Sequence, residues 1–244
     1  MHKKIPNRTE SEVSELRGLR QIEHEMEVTN RDRYSLFLLL SLIAFMLLSA
    51  FVEVNRVLGD SVLLISMYVI LLTATLALPR KGNWRWLGTI LASMSMLLML
   101  VQFVRPVRGI VVGNSLMLAV FVGFASVALF SYLQMPGSVT FGRIYTLVSL
   151  YLLLGLFYFA IFNLLETLHP RSFVETGLLA STGVSRHSLL YLSLVTLTTL
   201  GYGDVVPVSA LARITAALEA ATGVLYIAIT VARLVAAYAS TVDN

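Results

Sequence analysis

The sequence predicts an all-α membrane protein, and three observations lead to that fold class. The 244 residues are 57% hydrophobic and only 13% charged, whereas a soluble domain carries about 25% charged residues. The mean hydropathy is +0.80. Six apolar runs are each close to the length of roughly 20 residues that a helix needs to cross a bilayer. We therefore expect most of the chain to be surrounded by lipid.

The six apolar runs give the expected order of six transmembrane helices. They cover residues 34–52, 62–78, 86–104, 110–133, 144–165 and 208–238. Turn-forming residues separate them, for example Gly59-Asp60 and Arg105-Pro106. Residues 1–33 are polar and charged, and do not resemble a cleaved signal peptide. Within them, apolar residues at three- and four-residue intervals predict an amphipathic helix over about residues 10–28.

A seventh apolar run, residues 189–198, is too short to cross a membrane. Its length suits a re-entrant helix, which is tolerated at membrane depth only where protein or a water-filled cavity surrounds it. The run leads directly into Thr199-Leu200-Gly201-Tyr202-Gly203-Asp204, which we call the glycine loop. Its two glycines reach backbone angles that other residues avoid. The sequence thus predicts an unusual backbone turn directly after a short buried helix.

The distribution of positive charge predicts the orientation in the membrane. With six spans and a cytoplasmic N-terminus, twelve of the 18 Lys and Arg residues lie on the cytoplasmic side and six on the outer side. The positive-inside rule favours this arrangement. It places both termini in the cytoplasm and the glycine loop near the outer face of a plasma (inner) membrane. The chain has no cysteine, so a disulfide is excluded.

The run from residue 196 to residue 204, Thr-Leu-Thr-Thr-Leu-Gly-Tyr-Gly-Asp, resembles the selectivity-filter signature of the potassium channel family. In that family a ring of backbone carbonyls replaces the hydration shell of K⁺. The resemblance implies that Thr199, Leu200, Gly201, Tyr202 and Gly203 form the filter. The carbonyls of the first four would bind K⁺, and the ring of Tyr202 would pack behind them. Asp204 would lie at the outer mouth.

The resemblance also implies an architecture and partners. Residues 144–238 would form a pore domain with an outer helix 144–165, a pore helix 189–198, a filter 199–203 and an inner helix 208–238. Residues 34–133 would form a four-span, sensor-like domain behind a cytoplasmic segment 1–33. Because one chain supplies one filter strand, we expect a homotetramer in a lipid bilayer. Permeant K⁺ is the only ion implied, with no cofactor and no nucleic acid.

Two features behind the filter depart from the family. Some members have a carboxylate on the pore helix that pairs with the residue equivalent to Asp204, but that position here is Val195. Many members also have paired tryptophans where this chain has Tyr191 and Leu192. Thr196 and Thr198 supply hydroxyls at the end of the pore helix. We therefore expect a filter that is held more by packing than by polar contacts.

Several residues of the last apolar run have two open interpretations. Gly223 is either a gating hinge or a site of close helix packing. By resemblance, the cavity-lining candidates are Val224, Ile227 and Val231. Glu219 is either a cation-attracting group or a structural hydrogen-bond partner of the pore helix or the fifth span. We favour the structural role, because Glu219 precedes the expected cavity-lining positions.

The fourth span, residues 110–133, contains no charged residue. A voltage sensor needs several charges in that span, since each contributes about 2.3 kcal/mol per 100 mV. Arg105 and Arg108 at one end make a poor sensor, so we expect weak or no voltage gating. The leading interpretation is a passive potassium-selective channel. The alternatives are a weakly selective monovalent cation channel and a transporter subunit, although transporters of that kind carry several pore repeats. No constellation of catalytic residues supports an enzyme.

Overall fold

The structure is a computed structural model that describes residues 32–49, 56–78, 84–134, 140–176 and 184–242. The amphipathic helix predicted over residues 10–28 lies outside the described residues. Within the described ranges the chain forms helices and one pair of short strands. Their order is α1 (Asp32–Ser49), α2 (Arg56–Ala77), α3 (Trp84–Val104), α4 (Arg108–Leu133), α5 (Phe141–Leu168), β1 (Phe173–Glu175), α6 (Arg186–Leu197), β2 (Val205–Pro207) and α7 (Ala210–Val242).

Five of these helices, α1, α3, α4, α5 and α7, are long and apolar enough to cross a membrane. The helix over the second predicted span, α2, has 22 residues. Its apolar part runs from Ser61 to Ala77, which is 17 residues and slightly short of a span. The described chain is therefore an all-α protein with five candidate spans, and the sixth span stays a prediction.

α5 and α6, the two helices before the glycine loop, begin earlier than hydropathy alone predicts, whereas α7 begins two residues later than predicted, at Ala210. α5 begins at Phe141, where the Thr140 side chain accepts a hydrogen bond from the backbone N–H of Arg143. α6 begins at Arg186, where Ser185 accepts from the N–H of Ser188 at 3.1 Å. Polar first turns of this kind are hidden from a count of apolar residues, because the capping side chain replaces missing backbone partners.

Most of the core of the described residues is one large cluster in which α5 is central. α4 packs along α5, α3 packs on α4, and both α6 and α7 lie against α5. α1 also approaches the start of α5, where the Thr146 hydroxyl donates to the Ser35 hydroxyl at 2.9 Å. Phe121 of α4 and Phe162 of α5 are fully buried between these layers. α5 therefore connects the first four helices with the segment that carries the glycine loop.

A two-stranded antiparallel ladder joins the chain after α5 to the chain after the glycine loop. β1 pairs with β2 so that Phe173 lies opposite Pro207 and Glu175 lies opposite Val205. The backbone N–H of Val208 also donates to the carbonyl of Ser172 at 2.8 Å. The two ends of the segment that contains α6 and the glycine loop are thereby held together.

Candidate functional site

The first three N–H groups of the glycine loop turn back towards α6. The last carbonyls of a helix have no partners within the helix. The N–H of Thr199 donates to the carbonyl of Thr196 at 3.0 Å, and the N–H of Leu200 donates to the carbonyl of Val195 at 2.9 Å. The N–H of Gly201 also reaches the carbonyl of Val195, at 3.4 Å. The first three N–H groups of the loop are therefore bound at the end of α6.

In contrast to these N–H groups, the first four carbonyl groups of the loop have no partner among the described residues. Within the described part of the chain, the carbonyls of Thr199, Leu200, Gly201 and Tyr202 accept no hydrogen bond. All four residues are exposed in the single chain, Leu200 by 61% and Tyr202 by 69%. Backbone carbonyls strongly require a partner. Four consecutive carbonyls are thus available to bind something outside the chain.

The backbone of the loop alternates between two conformations. Thr199, Gly201 and Gly203 have φ values of 61°, 55° and 79°, whereas Leu200 and Tyr202 between them do not have positive φ. Glycine adopts positive φ at little cost, but Thr199 carries a Cβ and the conformation costs roughly 1–2 kcal/mol. This alternation is consistent with the expectation that the loop glycines let successive carbonyls face one side.

The carbonyl of Gly203 differs from the four before it. It accepts a hydrogen bond from the hydroxyl of Thr176 at 3.0 Å. The backbone N–H of Thr176 donates to the carbonyl of Asp204 at 2.7 Å. Thr176 directly follows β1, so the ladder anchors the C-terminal end of the loop. Of the five predicted filter residues, Gly203 is the one whose carbonyl already has a partner in the chain.

Tyr191 of α6 makes two contacts with the loop. Its ring stacks on the ring of Tyr202, with centroids 6.4 Å apart and planes 4° apart. Its hydroxyl donates to Oδ2 of Asp204 at 2.8 Å. Loss of hydration, followed by the hydrogen bond with Asp204, raises the pKa of Tyr191 to about 12. The hydroxyl therefore remains a donor across the physiological range.

The contacts of Tyr191 bear on one prediction. Val195 is buried, with 6% of its surface exposed, and its side chain offers Asp204 no partner. The expectation that the filter is held more by packing than by polar contacts stays a prediction, although the Tyr191 hydroxyl supplies one polar contact with Asp204. The expectation that Tyr202 packs behind the loop agrees with the stacking on Tyr191. Position 191, one helical turn before position 195 on α6, reaches Asp204 because tyrosine has a long side chain.

Two sets of contacts join α5, α6 and α7 behind the loop. In the outer set, the Ser193 hydroxyl lies 2.7 Å from the carbonyl oxygen of Gly155 and 2.5 Å from Oε1 of Glu219. Glu219 is fully buried. The structure therefore supports the structural role for Glu219, as a partner of the short helix.

The inner set lies one helical turn away on each helix. The hydroxyl of Tyr151 donates to the carbonyl of Leu197 at 3.1 Å. A Cβ added to Gly223 would lie 2.2 Å from that same carbonyl oxygen. Gly223 is therefore a site of close packing between α7 and the end of α6, which is the second of its two interpretations. α7 continues as a helix through this position.

The remaining candidate residues lie on α6 and α7. The Thr198 hydroxyl donates to the carbonyl of Leu194 at 2.7 Å, and Thr196 contributes its carbonyl to the loop. Val224, Ile227 and Val231 are 53%, 49% and 53% exposed. They lie beside the buried stripe of α7. In the single chain these three side chains are not brought together with the loop.

Sequence reasoning missed Tyr151, Ser193 and Thr176, which position the loop from behind and from the side. The presence of a serine in the short apolar helix 189–198 was a usable signal, because a buried hydroxyl needs a partner. No comparable signal identified Tyr151, which is one of ten tyrosines in the chain. Its partner lies 46 residues away in the sequence.

Comparison with known proteins locates a family resemblance in the same region. A family model described as ion channel matches residues 146–240, from within α5 to within α7. The match includes α6 and the glycine loop. No curated protein and no solved structure matches the chain. The match supports an ion channel, and together with the apolar helices it indicates a multi-pass membrane protein.

Proposed function

We propose that the protein is a passive, potassium-selective channel whose ions are bound by the carbonyls of Thr199, Leu200, Gly201 and Tyr202. The observation that carries this proposal is the division within the loop, where the first three N–H groups are bound to α6 and four consecutive carbonyls are unpaired among the described residues. Rings of backbone carbonyls replace the hydration shell of K⁺. The alternating positive φ values support the same geometry.

A homotetramer is part of the proposal, because one chain provides one row of carbonyls and cannot surround an ion. The apolar side chains of Leu200 and Tyr202 are 61% and 69% exposed in the single chain. Only 17% of the residues in the most apolar window of α7 are buried. A closed ring of four chains around one axis would cover such surfaces. In this assembly Val224, Ile227 and Val231 would line the cavity below the loop.

The proposed topology has six spans, with α2 as the second, and a short re-entrant α6. The excess of Lys and Arg in the N-terminal segment supports cytoplasmic termini in a plasma membrane. With α6 re-entrant from the outer side, the C-terminal end of its macrodipole would favour a cation in the membrane interior. α1 to α4 would form a sensor-like domain that lacks gating charges.

The direct test is ion flux through the purified protein in liposomes under gradients of K⁺, Rb⁺ or Na⁺. The proposal predicts flux of K⁺ and Rb⁺ and little flux of Na⁺. Comparable flux of Na⁺ would favour the alternative of a weakly selective monovalent cation channel. Absence of flux for all three ions from a folded tetramer would contradict both.

A variant of the loop tests the role of its backbone. Gly201→Ala places a Cβ on a residue with φ of 55°, although no atom of the described residues other than its two chain neighbours lies within 4 Å of that position. The expected loss of K⁺ flux is about tenfold or more, because the strain of roughly 1–2 kcal/mol forces the carbonyls out of line. The matched control is Gly113→Ala on α4, where a Cβ also meets nothing within 4 Å and φ is not positive. Equal flux from both variants would contradict the proposed site.

A further inference from the structure

Glu219 is a buried acid in the first third of α7. No part of its surface is exposed in the single chain, so a neighbouring subunit or a lipid does not reach it. Oε1 contacts the Ser193 hydroxyl, and Oε2 is buried and has no hydrogen-bond partner among the residues that the structure describes. A buried carboxylate is stable only when it is paired and its oxygens accept hydrogen bonds. The site of Glu219 meets this condition at one oxygen only.

The hydrogens at this site can be counted. The Ser193 oxygen lies 2.7 Å from the carbonyl oxygen of Gly155 and 2.5 Å from Oε1 of Glu219. Both distances are those of hydrogen bonds, yet a serine hydroxyl carries a single hydrogen. A carbonyl has none to give, and neither has an ionised carboxylate. Two short contacts with one hydrogen leave one pair of oxygens in repulsion, unless Glu219 supplies a second hydrogen.

The charges around Glu219 lead to the same conclusion. In the described part of the chain no cation pairs with it. The titratable group that faces it from α5 is Tyr151, whose hydroxyl is already donated to Leu197. α6 presents the neutral Ser193. On α7 the nearest charged residue is Arg213, six residues earlier, or about 9 Å along the helix. Its Nε is directed to the carbonyl of Pro207 at 3.4 Å.

We propose that Glu219 is held as a neutral carboxylic acid that donates to the Ser193 hydroxyl, which in turn donates to the carbonyl of Gly155. The resulting relay joins α7, α6 and α5 through two hydrogen bonds. Glu219 is then a positioning residue. It touches no permeant ion, and it fixes the short helix that carries the glycine loop. The assignment concerns a proton and holds whichever cation passes, so it does not depend on potassium selectivity.

Infrared spectroscopy of the full chain in lipid vesicles tests the proton directly. At about pH 7 the protein should show the carbonyl stretching band of a protonated carboxylic acid, because burial favours the neutral form. Glu219→Gln should remove the band. The matched control is Glu166→Gln, which should keep the band, since the Glu166 carboxylate accepts from the N–H groups of Arg171 and Phe173 and lies outside the contacts of Ser193. A band that is absent from the native protein, or that survives in Glu219→Gln, overturns the proposal.

A second variant keeps the proposal testable if Glu219→Gln does not fold. Ser193→Ala removes the acceptor of the acid hydrogen and leaves the backbone unchanged. The acid band should then shift to higher frequency, because the carboxyl group loses its hydrogen bond. An unchanged band in Ser193→Ala would show that the proton belongs to another acid, and would overturn the assignment.

The pH dependence of K⁺ flux shows whether the acid hydrogen of Glu219 holds the short helix in place or whether the packing of the side chain alone does so. As the pH is raised from about 7 to about 10, native flux should fall, because the relay loses its second hydrogen. Glu219→Gln should keep native flux within about threefold at pH 7, since its amide donates to the same hydroxyl and does not titrate. Its flux should not fall with pH. Equal alkaline loss in both proteins would contradict the role of Glu219, and loss of flux in Glu219→Gln at pH 7 would do the same.

Discussion

At the scale of single residues, Tyr191 separates two ways of holding the glycine loop. Its ring stacks on Tyr202 and its hydroxyl donates to Asp204. Tyr191→Phe keeps the ring and removes only the donor. A hydrogen bond to a charged group contributes about 1 kcal/mol or more. We expect the variant to lose conduction during sustained opening about fivefold faster than the native protein, as measured by current decay in planar bilayers.

The control for this experiment is Tyr68→Phe. The Tyr68 hydroxyl donates to the carbonyl of Met96 at 2.8 Å, in the contact between α2 and α3 and away from the loop. This change should leave the decay of current unaltered. If Tyr191→Phe behaves like Tyr68→Phe, the contact with Asp204 does not hold the loop, and the packing predicted from Val195 is sufficient.

The residues of the loop were predicted from the sequence more completely than their supports. Gly201 and Gly203 follow from the need for positive φ, which is a local property of the backbone. Tyr191, Thr176 and Ser193 act through contacts with partners 13, 27 and 26 residues away. Such contacts depend on how helices cross, and the order of residues along the chain does not encode that crossing in any local pattern.

At the scale of elements, the crossing of α6 and α7 depends on Gly223. Gly223→Ala would place a Cβ 2.2 Å from the carbonyl oxygen of Leu197, and a backbone atom cannot move aside as a side chain can. Overpacking of this kind costs about 1–3 kcal/mol. We expect a lower thermal stability of the purified assembly, together with reduced flux. Gly113→Ala is the control, because its Cβ has no neighbour within 4 Å.

A different outcome would restore the hinge interpretation of Gly223. In that case the Gly223→Ala variant would have the same thermal unfolding temperature as the native protein, and only its open probability would change. The sequence left the two interpretations equal, since a glycine in a helix serves either purpose. The short distance to Leu197 favours close packing over the hinge, because it shows that a larger side chain would not fit at this position. The sequence alone does not contain that information.

The ends of the helices were also predicted less accurately from the sequence than their existence. Length identified the short helix correctly, but α6 begins at Arg186 instead of residue 189. Hydropathy detects the part of a helix that contacts apolar surroundings. Its polar first turn and its Ser185 cap are stabilised by hydrogen bonds, which a count of apolar residues omits.

At the scale of the whole molecule, Arg108 at the start of α4 is bound to the end of α5, and no charged residue is spaced along the fourth predicted span. Arg108 donates from Nε and Nη2 to the carbonyls of Thr167 and Leu168, at 3.1 and 2.8 Å. It therefore caps the C-terminal end of α5, where a cation is favoured. A residue held in this way does not move across the membrane field. We expect open probability to change little between about −100 and +100 mV.

The variant Arg108→Gln tests whether Arg108 stabilises the end of α5 or acts as a gating charge. It should lower thermal stability, because two carbonyls of α5 lose a charged donor, while leaving the weak voltage dependence unchanged in planar bilayers. A shift in the voltage of half-activation would contradict this assignment and return Arg108 to the role of a gating charge. Gln102→Asn, on the neighbouring helix α3, is a control for general disturbance of this side of the protein.

The organisation of the whole chain was accessible from hydropathy because a lipid environment imposes it on every span. Five candidate spans and the short helix follow from apolar length alone. The second span is less clear, since the apolar part of α2 is 17 residues long. A difference of a few residues decides that count, and neighbouring helices, which the sequence does not position, determine whether such a helix crosses the membrane.

In the glycine loop the first three N–H groups are hydrogen-bonded, and the first four carbonyl groups are unpaired among the described residues. This difference affects whether the loop admits cations or anions. The N–H groups of Thr199, Leu200 and Gly201 are bound at the end of α6, so the backbone groups that these three residues leave free are carbonyls, which are acceptors. Chloride is held by donors, and an array of acceptors repels it. Anion exclusion would then arise from hydrogen-bond polarity and would not depend on the net charge of +4. Replacing the cation of the bath should change the current, whereas replacing chloride by a larger anion should not.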